Sequence, residues 1–330
     1  MSSSRLLRVG LGLAAVAALT WACDEGDPAG PGGPPPPPPP PPVPVTSTEW
    51  VNSVDWNARV VVDVNMVETN ATTMSFAPNQ LTFEAGKPYV LRINNPTGNV
   101  KHYFSPANAS SFYQAVAIRK IETTEGEYKA PYFDAVEMKT NGTSLELYFV
   151  PVLPGTYNIV CTIPNHESYG MTAQITITGG AGNQLDQEVD PTFNQALTSD
   201  PRRSGSHAVW TTALDVDIAM QEGGQTSYAF VPPDLTLTKD AGYRLNLDNP
   251  SGNSEKHYYT AADFYMTVVL RKAEDSQAEI KAPYLKAVEL LIGGSTTLFL
   301  VPTVTGSFGV LCTIPGHATG GMTGTLAVNP

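Results

Sequence analysis

Short stretches in which hydrophobic and polar residues alternate recur along most of the chain, separated by turn residues. The segment QLTFEAGKPYVLRINN (80–95) predicts an alternating strand, a turn at 86–88 and a second strand. LELYFVPVLPGTYNIVC (145–161) predicts two strands around a Pro-Gly turn, and GMTAQITIT (170–178) has the period of two of a half-buried strand. The pattern therefore predicts an all-β protein, with SSFYQAVAIRKIE (110–122) as its one helix.

The same pattern occurs twice along the chain. The stretch MSFAPNQLTFEAGKPYVLRINNPTGNVKHY (74–103) parallels YAFVPPDLTLTKDAGYRLNLDNPSGNSEKHY (228–258). Further on, FYQAVAIRK parallels FYMTVVLRK, EYKAPYFDAVEM parallels EIKAPYLKAVEL, and LYFVPVLPGTYNIVCTIPNH parallels LFLVPTVTGSFGVLCTIPGH. A match of this length indicates two copies of one domain. Several short strands in each copy predict a Greek-key sandwich or barrel.

Shifts in composition divide the chain into five segments. We expect a signal peptide at 1–22, a proline-rich linker at 23–45, a first domain at 46–182, a polar linker at 183–206 and a second domain at 207–330. The FYxxVxxRK and KAPYxxAVE segments are common to both domains. They either pack the same fold twice or form a docking surface near the first histidine of each copy.

Composition and charge narrow the classes of function. A hydrophobic content of 42% suits a packed globular protein, and 28 Gly with 29 Pro suit many turns. The formal net charge of −12 argues against a nucleic-acid partner and fits a soluble surface or a basic partner. With only three cysteines, of which two lie in a repeated motif, a disulfide scaffold is not expected.

The amino terminus has the features of an export signal. Arg5 and Arg8 precede an apolar run from Val9 to Ala22 that is too short to span a bilayer comfortably. The run ends in LTWAC, which resembles the lipobox of bacterial lipoproteins, with Cys23 as the lipidated residue. Thr20 and Trp21 depart from the usual lipobox residues, and ordinary signal cleavage is the alternative. We expect a bacterial periplasmic or extracellular lipoprotein, held to a membrane through Cys23.

Nine consecutive prolines follow, from Pro34 to Pro42. Such a run adopts a polyproline II helix, which at this length spans about 28 Å. It is either an inert low-complexity segment or a stiff spacer that lifts the domains off a membrane. A lipid at Cys23 favours the spacer.

The segments CTIPNHESYGM (161–171) and CTIPGHATGGM (312–322) carry the chemistry. Both have the spacing C-x4-H-x4-M, and a thiolate, an imidazole and a thioether form a soft ligand set. Two histidine nitrogens, one cysteine sulfur and a distant axial methionine hold copper in blue-copper electron-transfer sites. The missing second histidine is expected to be His102 in one copy and His257 in the other, because each lies between Lys and Tyr at equivalent points of the repeat.

This ligand order resembles the cupredoxin family of plastocyanin, azurin, auracyanin and rusticyanin. The resemblance covers most of both repeats, and the loop spacing is most similar to that of auracyanin and rusticyanin. It implies two tandem cupredoxin-like domains, each with one type 1 copper. Zinc is the alternative metal, but structural zinc sites rarely use methionine. The resemblance assigns as metal ligands His102, Cys161, His166 and Met171 in the first domain, and His257, Cys312, His317 and Met322 in the second.

In azurin-like members, an asparagine after the first histidine often pins the ligand loop. Tyr103 and Tyr258 occupy that position here. The resemblance therefore implies that this lock is absent or replaced.

An enzyme is not expected from the sequence, and no catalytic residue is assigned. Two-domain nitrite reductases and multicopper oxidases need extra histidines for a second kind of copper centre. The chain has five histidines, four of them assigned as ligands, and His207 alone cannot build such a centre.

Two functions remain open. One is outer-sphere electron transfer through the edge of His166 or His317 to a redox partner docked on an apolar rim that includes Pro164, Tyr169 and Pro315. Because both domains are mildly acidic, a basic cytochrome c is the expected kind of partner. The alternative is a periplasmic protein for copper sequestration or delivery.

Overall fold

The computed structural model describes residues 50–330, apart from residues 97, 108–110, 141, 180–192 and 225–226. The signal peptide, Cys23 and the proline run therefore lie outside the described residues. Most of the regular structure in the described chain is β-strand, so the predicted all-β class is confirmed. Its strands are β1 Val60–Asn70, β2 Thr73–Ala77, β3 Gln80–Glu84, β4 Tyr89–Asn95, β5 His102–Pro106, β6 Val116–Glu122, β7 Gly126–Lys129, β8 Ala135–Met138, β9 Thr143–Pro151, β10 Gly155–Val160, β11 Thr172–Thr178, β12 Leu214–Glu222, β13 Tyr228–Val231, β14 Asp234–Thr238, β15 Tyr243–Asp248, β16 His257–Tyr259, β17 Val268–Glu274, β18 Ala278–Lys281, β19 Ala287–Leu290, β20 Ser295–Pro302, β21 Gly306–Leu311 and β22 Thr323–Asn329.

The helices of the described chain are short. The α-helix α1 covers Ala262–Tyr265. None of these helices has the length and apolar character needed to cross a membrane. The 3-10 helices cover Trp50–Ser53, Trp56–Ala58, Phe112–Gln114, Gln195–Ser199, Pro201–Arg203 and Ala208–Thr211.

The alternating segments form strands where the sequence places them. In β3 and β11, exposed and buried side chains alternate, as the two-residue period of a strand requires. The predicted turn between β3 and β4 contains Gly86, whose φ of 84° suits a residue without a Cβ.

The helix expected over 110–122 is wrong. Within this segment, Phe112–Gln114 forms a 3-10 turn and Val116–Glu122 forms β6. The branched side chains of Val116, Ile118 and Ile121 favour the extended chain, and all three are buried in a strand that pairs with β9.

The duplication is visible strand by strand, since β1–β11 of the first repeat correspond in order to β12–β22 of the second. Each repeat has two layers. In the first repeat, one layer has the order β7-β6-β9-β4-β1-β2 and the other has the order β8-β5-β10-β11-β3. The layers pack face to face: the ring of Phe83 on β3 contacts that of Phe149 on β9, with centroids 5.1 Å apart.

Strands of the two repeats pair with each other. β7 pairs with β19, and β8 pairs with β18, both in antiparallel register. Both layers of the first repeat therefore continue into the second repeat, which gives an eight-stranded and an eleven-stranded sheet, while β14, β22 and β21 form a separate three-stranded sheet. All four strands come from the EYKAPYFDAVEM and EIKAPYLKAVEL segments, so these shared segments lie between the repeats. The domain limits given by the sequence remain a prediction.

Close backbone contact at this junction explains one glycine. A Cβ on Gly126 would lie 2.2 Å from the carbonyl oxygen of Glu289 on β19. At the other junction, β18 carries Ala278 at the equivalent position, opposite Met138. The two junctions are thus similar in register but differ in how closely the backbones approach.

Candidate metal centres

Three adjacent strands bring the predicted ligands of the first repeat to one edge of a sheet. His102 opens β5, Cys161 directly follows β10, and Met171 directly precedes β11. β10 pairs with both β5 and β11. β5 and β10 are antiparallel with Val160 opposite Ser105, so the chain that leaves β10 runs toward His102 at the start of β5. His166 lies in the loop between β10 and β11.

Ligand atoms converge in the first centre. The Nδ1 atoms of His102 and His166 are 3.1 Å apart, and the Sγ atom of Cys161 lies 4.0 and 3.4 Å from them. All three side chains are buried. Atoms bound to one transition-metal ion at about 2.0–2.3 Å lie at such separations from one another. The two imidazole nitrogens and the thiol therefore fit a single ion of the kind that this donor set prefers.

The second centre repeats this geometry. The Nδ1 atoms of His257 and His317 are 3.0 Å apart, and the Sγ atom of Cys312 lies 3.4 Å from that of His317. These three residues are also buried. The structure thus brings six of the eight predicted ligands into two three-residue groups.

Backbone hydrogen bonds position the two methionines. Met171 N–H donates to the carbonyl of His166, and the carbonyl of Met171 accepts from Cys161 N–H, at 3.0 and 3.1 Å. Met322 makes the same two bonds, to His317 and Cys312. Both methionine side chains are fully buried. Each ligand loop is therefore closed on itself, with its methionine held at the base beside the cysteine.

Burial governs the ionisation of the metal-free ligands. It raises the pKa of the Cys161 and Cys312 thiols, although backbone N–H groups that donate to each sulfur partly oppose it. Burial likewise lowers the pKa of His102 and His257. His102 and His257 are therefore held in the neutral form that binds metals, and each thiol loses its proton when a metal binds.

Two carboxylates that the sequence analysis missed orient the first histidine of each centre. His102 Nε2 lies 3.0 Å from Glu68 Oε1, and His257 Nε2 lies 3.1 Å from Glu222 Oε1. A histidine ligand commonly donates its second ring N–H to such a partner, which fixes the tautomer and the ring orientation. The available signal was that both glutamates occupy the same place in the repeat, near the ends of β1 and β12.

The lock that the resemblance left in doubt is replaced by a different set of bonds. Tyr103 and Tyr258 each donate their backbone N–H to the cysteine sulfur of their own centre at 3.3 Å. Buried Asn95 donates from its side chain to the carbonyls of Val100 and Lys139, and so fixes the loop before His102. Hydrogen bonds therefore hold both the cysteine ligands and the loop before His102, although no asparagine follows the first histidine.

The same tyrosines connect each centre to the other repeat. Tyr103 donates its hydroxyl to Glu279 on β18 at 2.9 Å, and Tyr258 donates to Glu127 on β7 at 3.0 Å. Lys281 and Lys129 donate to the two hydroxyl oxygens. The residue after each first ligand thus takes part in the junction between the repeats.

The other residues named from the sequence lie outside the two groups. His207 accepts a hydrogen bond from Val209 N–H at the start of a 3-10 helix. Pro164 and Pro315 are exposed and Tyr169 is half-buried on the ligand loops. Pro315 also lines a surface cleft of about 710 Å³ beside the second centre, together with Tyr258, Leu291, Ile292 and Ile314.

A two-layered β-domain with a buried His-Cys-His group at the end of three strands defines a copper-binding domain of the cupredoxin type. Residues 62–178 match the family model described as copper binding proteins, plastocyanin/azurin family. This match covers most of the first repeat, and the resemblance seen in the sequence is confirmed. The predicted cofactor, copper at two sites, is confirmed with it. No curated protein sequence matches the chain.

Solved structures similar to the chain include an auracyanin, a copper-containing nitrite reductase and a multicopper oxidase. Auracyanin from Roseiflexus castenholzii is 20% identical, with a TM-score of 0.25 over 36% of this chain and 99% of its own. A copper-containing nitrite reductase from Thermus scotoductus is 15% identical, with a TM-score of 0.29 over 82% of this chain and 61% of its own. A multicopper oxidase from Campylobacter jejuni is 10% identical, with a TM-score of 0.32 over 82% and 64%. This chain thus spans less than two thirds of these two enzymes.

The expectation that the protein is not an enzyme is corrected by these matches. It rested on the number of histidines left for a second kind of copper centre. The similar structures include nitrite reductases and multicopper oxidases, which are enzymes. Similarity at this level assigns no reaction to the chain.

Proposed function

We propose that the protein is an exported, lipid-anchored blue-copper protein that transfers electrons through one type 1 copper in each of its two domains. The observation that carries the proposal is the pair of buried groups, each with two imidazole Nδ1 atoms and one cysteine Sγ directed at a common point. When bound there, copper supplies a one-electron couple.

The chain's own residues suit this role because they hold the ligands before the metal binds. Glu68 orients His102, the loop bonds hold Met171 beside Cys161, and Tyr103 N–H stabilises the thiolate charge. A rigid and dry ligand set limits the change in geometry between two oxidation states. This favours electron transfer over a role in copper delivery, which needs the metal to be released.

Absorption and paramagnetic resonance spectra of the copper-loaded protein test the proposal. We expect two equivalents of copper and an intense thiolate-to-copper band. Cys161→Ser and Cys312→Ser should each remove one equivalent and leave the other. Full colour in either variant would refute the assignment, and ready loss of copper to a competing apo-protein, without redox cycling, would favour sequestration or delivery.

We propose a basic exported protein such as a cytochrome c as the redox partner. The segments 46–182 and 207–330 carry net charges of −4 (8 basic, 12 acidic) and −5 (7 basic, 12 acidic). Attraction between such surfaces is screened over a Debye length of about 8 Å at physiological salt. The transfer rate should therefore fall as salt rises. A rate independent of salt would argue against a basic partner.

The membrane anchor and the proline spacer belong to the same proposal. Cys23→Ala should move the protein from the membrane to the soluble exported fraction. A protein that is soluble with Cys23 intact would instead have been exported by simple signal cleavage.

A further inference from the structure

The two centres differ at their second histidine. His317 in the second centre has a carboxylate on its outer nitrogen and an aromatic ring on its face, whereas His166 in the first centre has neither among the described residues. We propose that Glu255 gives the second centre the lower reduction potential, so that an electron taken up by the chain settles at the first centre, and that Tyr228 shields the second histidine of that centre. This inference rests on the proposed function.

The carboxylate is that of Glu255. Its Oε2 atom lies 2.8 Å from His317 Nε2, while His317 Nδ1 faces Cys312. If Nδ1 binds the metal, Nε2 carries the ring proton and donates a hydrogen bond to Glu255. The side chain of Glu255 is 48% exposed, so solvent screens part of its charge.

Hydrogen bonds identify the counterpart of Glu255 in the first repeat as Val100. Glu255 N–H donates to Glu222, as Val100 N–H donates to Glu68. The carbonyl oxygens of Glu255 and Val100 accept from Asn249 and Asn95, respectively. The backbone is therefore used in the same way in both repeats, and only the side chain differs.

The aromatic ring is that of Tyr228. It stacks on His317 with a centroid distance of 4.0 Å and an interplanar angle of 10°. Its counterpart in the first repeat is Met74: Tyr228 N–H donates to the carbonyl of Gly320, as Met74 N–H donates to that of Tyr169. His317 is 2% exposed and His166 is 8% exposed. The imidazole of the first centre is thus the more accessible one.

The Glu255 carboxylate affects the two oxidation states of the metal unequally. A carboxylate that accepts the outer N–H makes the imidazole a stronger donor and places negative charge near the metal. Both effects stabilise the more highly charged, oxidised ion. Partners of this kind change metal affinity by about 10- to 100-fold. We take the lower end of that range, about tenfold, as the expected extra gain of the oxidised ion over the reduced ion at the second centre. Tenfold corresponds to 59 mV for a one-electron couple.

Single-centre variants allow each potential to be measured separately. Cys161→Ser retains the second centre and Cys312→Ser retains the first, and each is titrated electrochemically while the blue absorption is followed. We expect the second centre to be reduced at the lower potential. In the Cys161→Ser background, Glu255→Val should raise that potential by most of the difference, and Glu255→Gln, which keeps an acceptor without the charge, by less.

The reciprocal variant is the matched control. Val100→Glu in the Cys312→Ser background should lower the potential of the first centre. Tyr228→Met should speed reduction of the second centre by a small inorganic complex, because it uncovers His317, and Met74→Tyr should slow reduction of the first. These readouts do not depend on a physiological partner.

The possible results distinguish a failure of this inference from a failure of the proposed electron-transfer function. Two blue centres with equal potentials, or with the second centre higher, would overturn the inference and leave the electron-transfer proposal standing. A difference that persists in Glu255→Val would exclude Glu255 as its cause. A protein that binds no copper would refute the proposed function and the inference together.

Discussion

Glu68 is predicted to contribute strongly to copper affinity although it does not bind the metal. Its carboxylate accepts from His102 Nε2 at 3.0 Å and from the backbone N–H groups of Asn99 and Val100 at 3.3 and 3.2 Å. In Glu68→Ala, water can replace it at the two exposed backbone groups. It cannot easily reach His102, which is fully buried.

The expected loss of copper affinity follows from the hydrogen bond between His102 and Glu68. A buried donor without a partner costs about 1–3 kcal/mol, and the ring also loses its fixed orientation. Loss of such a partner typically lowers metal affinity about 10- to 100-fold, which is about 1.4–2.8 kcal/mol. Both routes give the same range, so we expect copper affinity at the first centre to fall by at least about tenfold.

Competition with a chelator measures this affinity. The titration follows the blue absorption in a Cys312→Ser background, so that only the first centre contributes. Glu84→Ala is the matched control, because Glu84 forms an exposed ion pair with Lys87 away from the ligands. If Glu68→Ala binds copper within about twofold of its parent, well short of the effect usual for such partners, the hydrogen bond does not hold His102 in the way we infer.

Two further predictions concern the junction between the repeats. Gly126→Ala places a Cβ 2.2 Å from the carbonyl oxygen of Glu289 and should cost about 1–3 kcal/mol in chemical denaturation. Gly309→Ala is the control, because its Cβ would meet nothing within 4 Å, and it should change stability by less than about 0.5 kcal/mol. Equal effects of the two variants would contradict the close contact at Gly126. Burial alone would raise the pKa of Glu279, but the hydrogen bond and charge of Lys272 lower it to about 2 from an ordinary 4.5. Its stabilising contribution should therefore be complete above about pH 4.5 and be lost as the pH falls toward 2. Glu279→Gln should flatten the loss of stability over that interval, and an unchanged pH profile would show that this carboxylate does not contribute.

Local pattern and repetition were enough to predict the strands and the ligand groups. The eight ligand positions could be proposed because the same residue types recur in the same order, and the C-x4-H-x4-M spacing is identical in both loops. The segment 110–122 was misassigned because its apolar residues suit a helix and a strand equally well. Only its pairing with β9 decides between the two.

Contacts between distant parts of the chain could not be predicted in this way. The pairing of β7 with β19 joins residues about 160 positions apart, and an alternating pattern does not specify its partner strand. Glu68 was overlooked for a similar reason, since its role depends on the approach of β1 to the loop before His102. In the sequence alone, neither the charge of Glu68 nor its position in the strand pattern distinguishes it from an ordinary surface glutamate.

The strand pairing at the junction between the repeats also bears on the origin of the chain. β7 and β8 of one repeat pair with the counterparts of β8 and β7 in the other, so each repeat uses the same two strands in the same way. A single repeat could make this contact with a second copy of itself, as in a twofold-symmetric homodimer. In such a dimer every substitution would appear at both metal centres. Fusion of the two copies into one chain removes that restriction, and residues such as Glu255 and Tyr228 can then differ from their counterparts while the shared interface is kept.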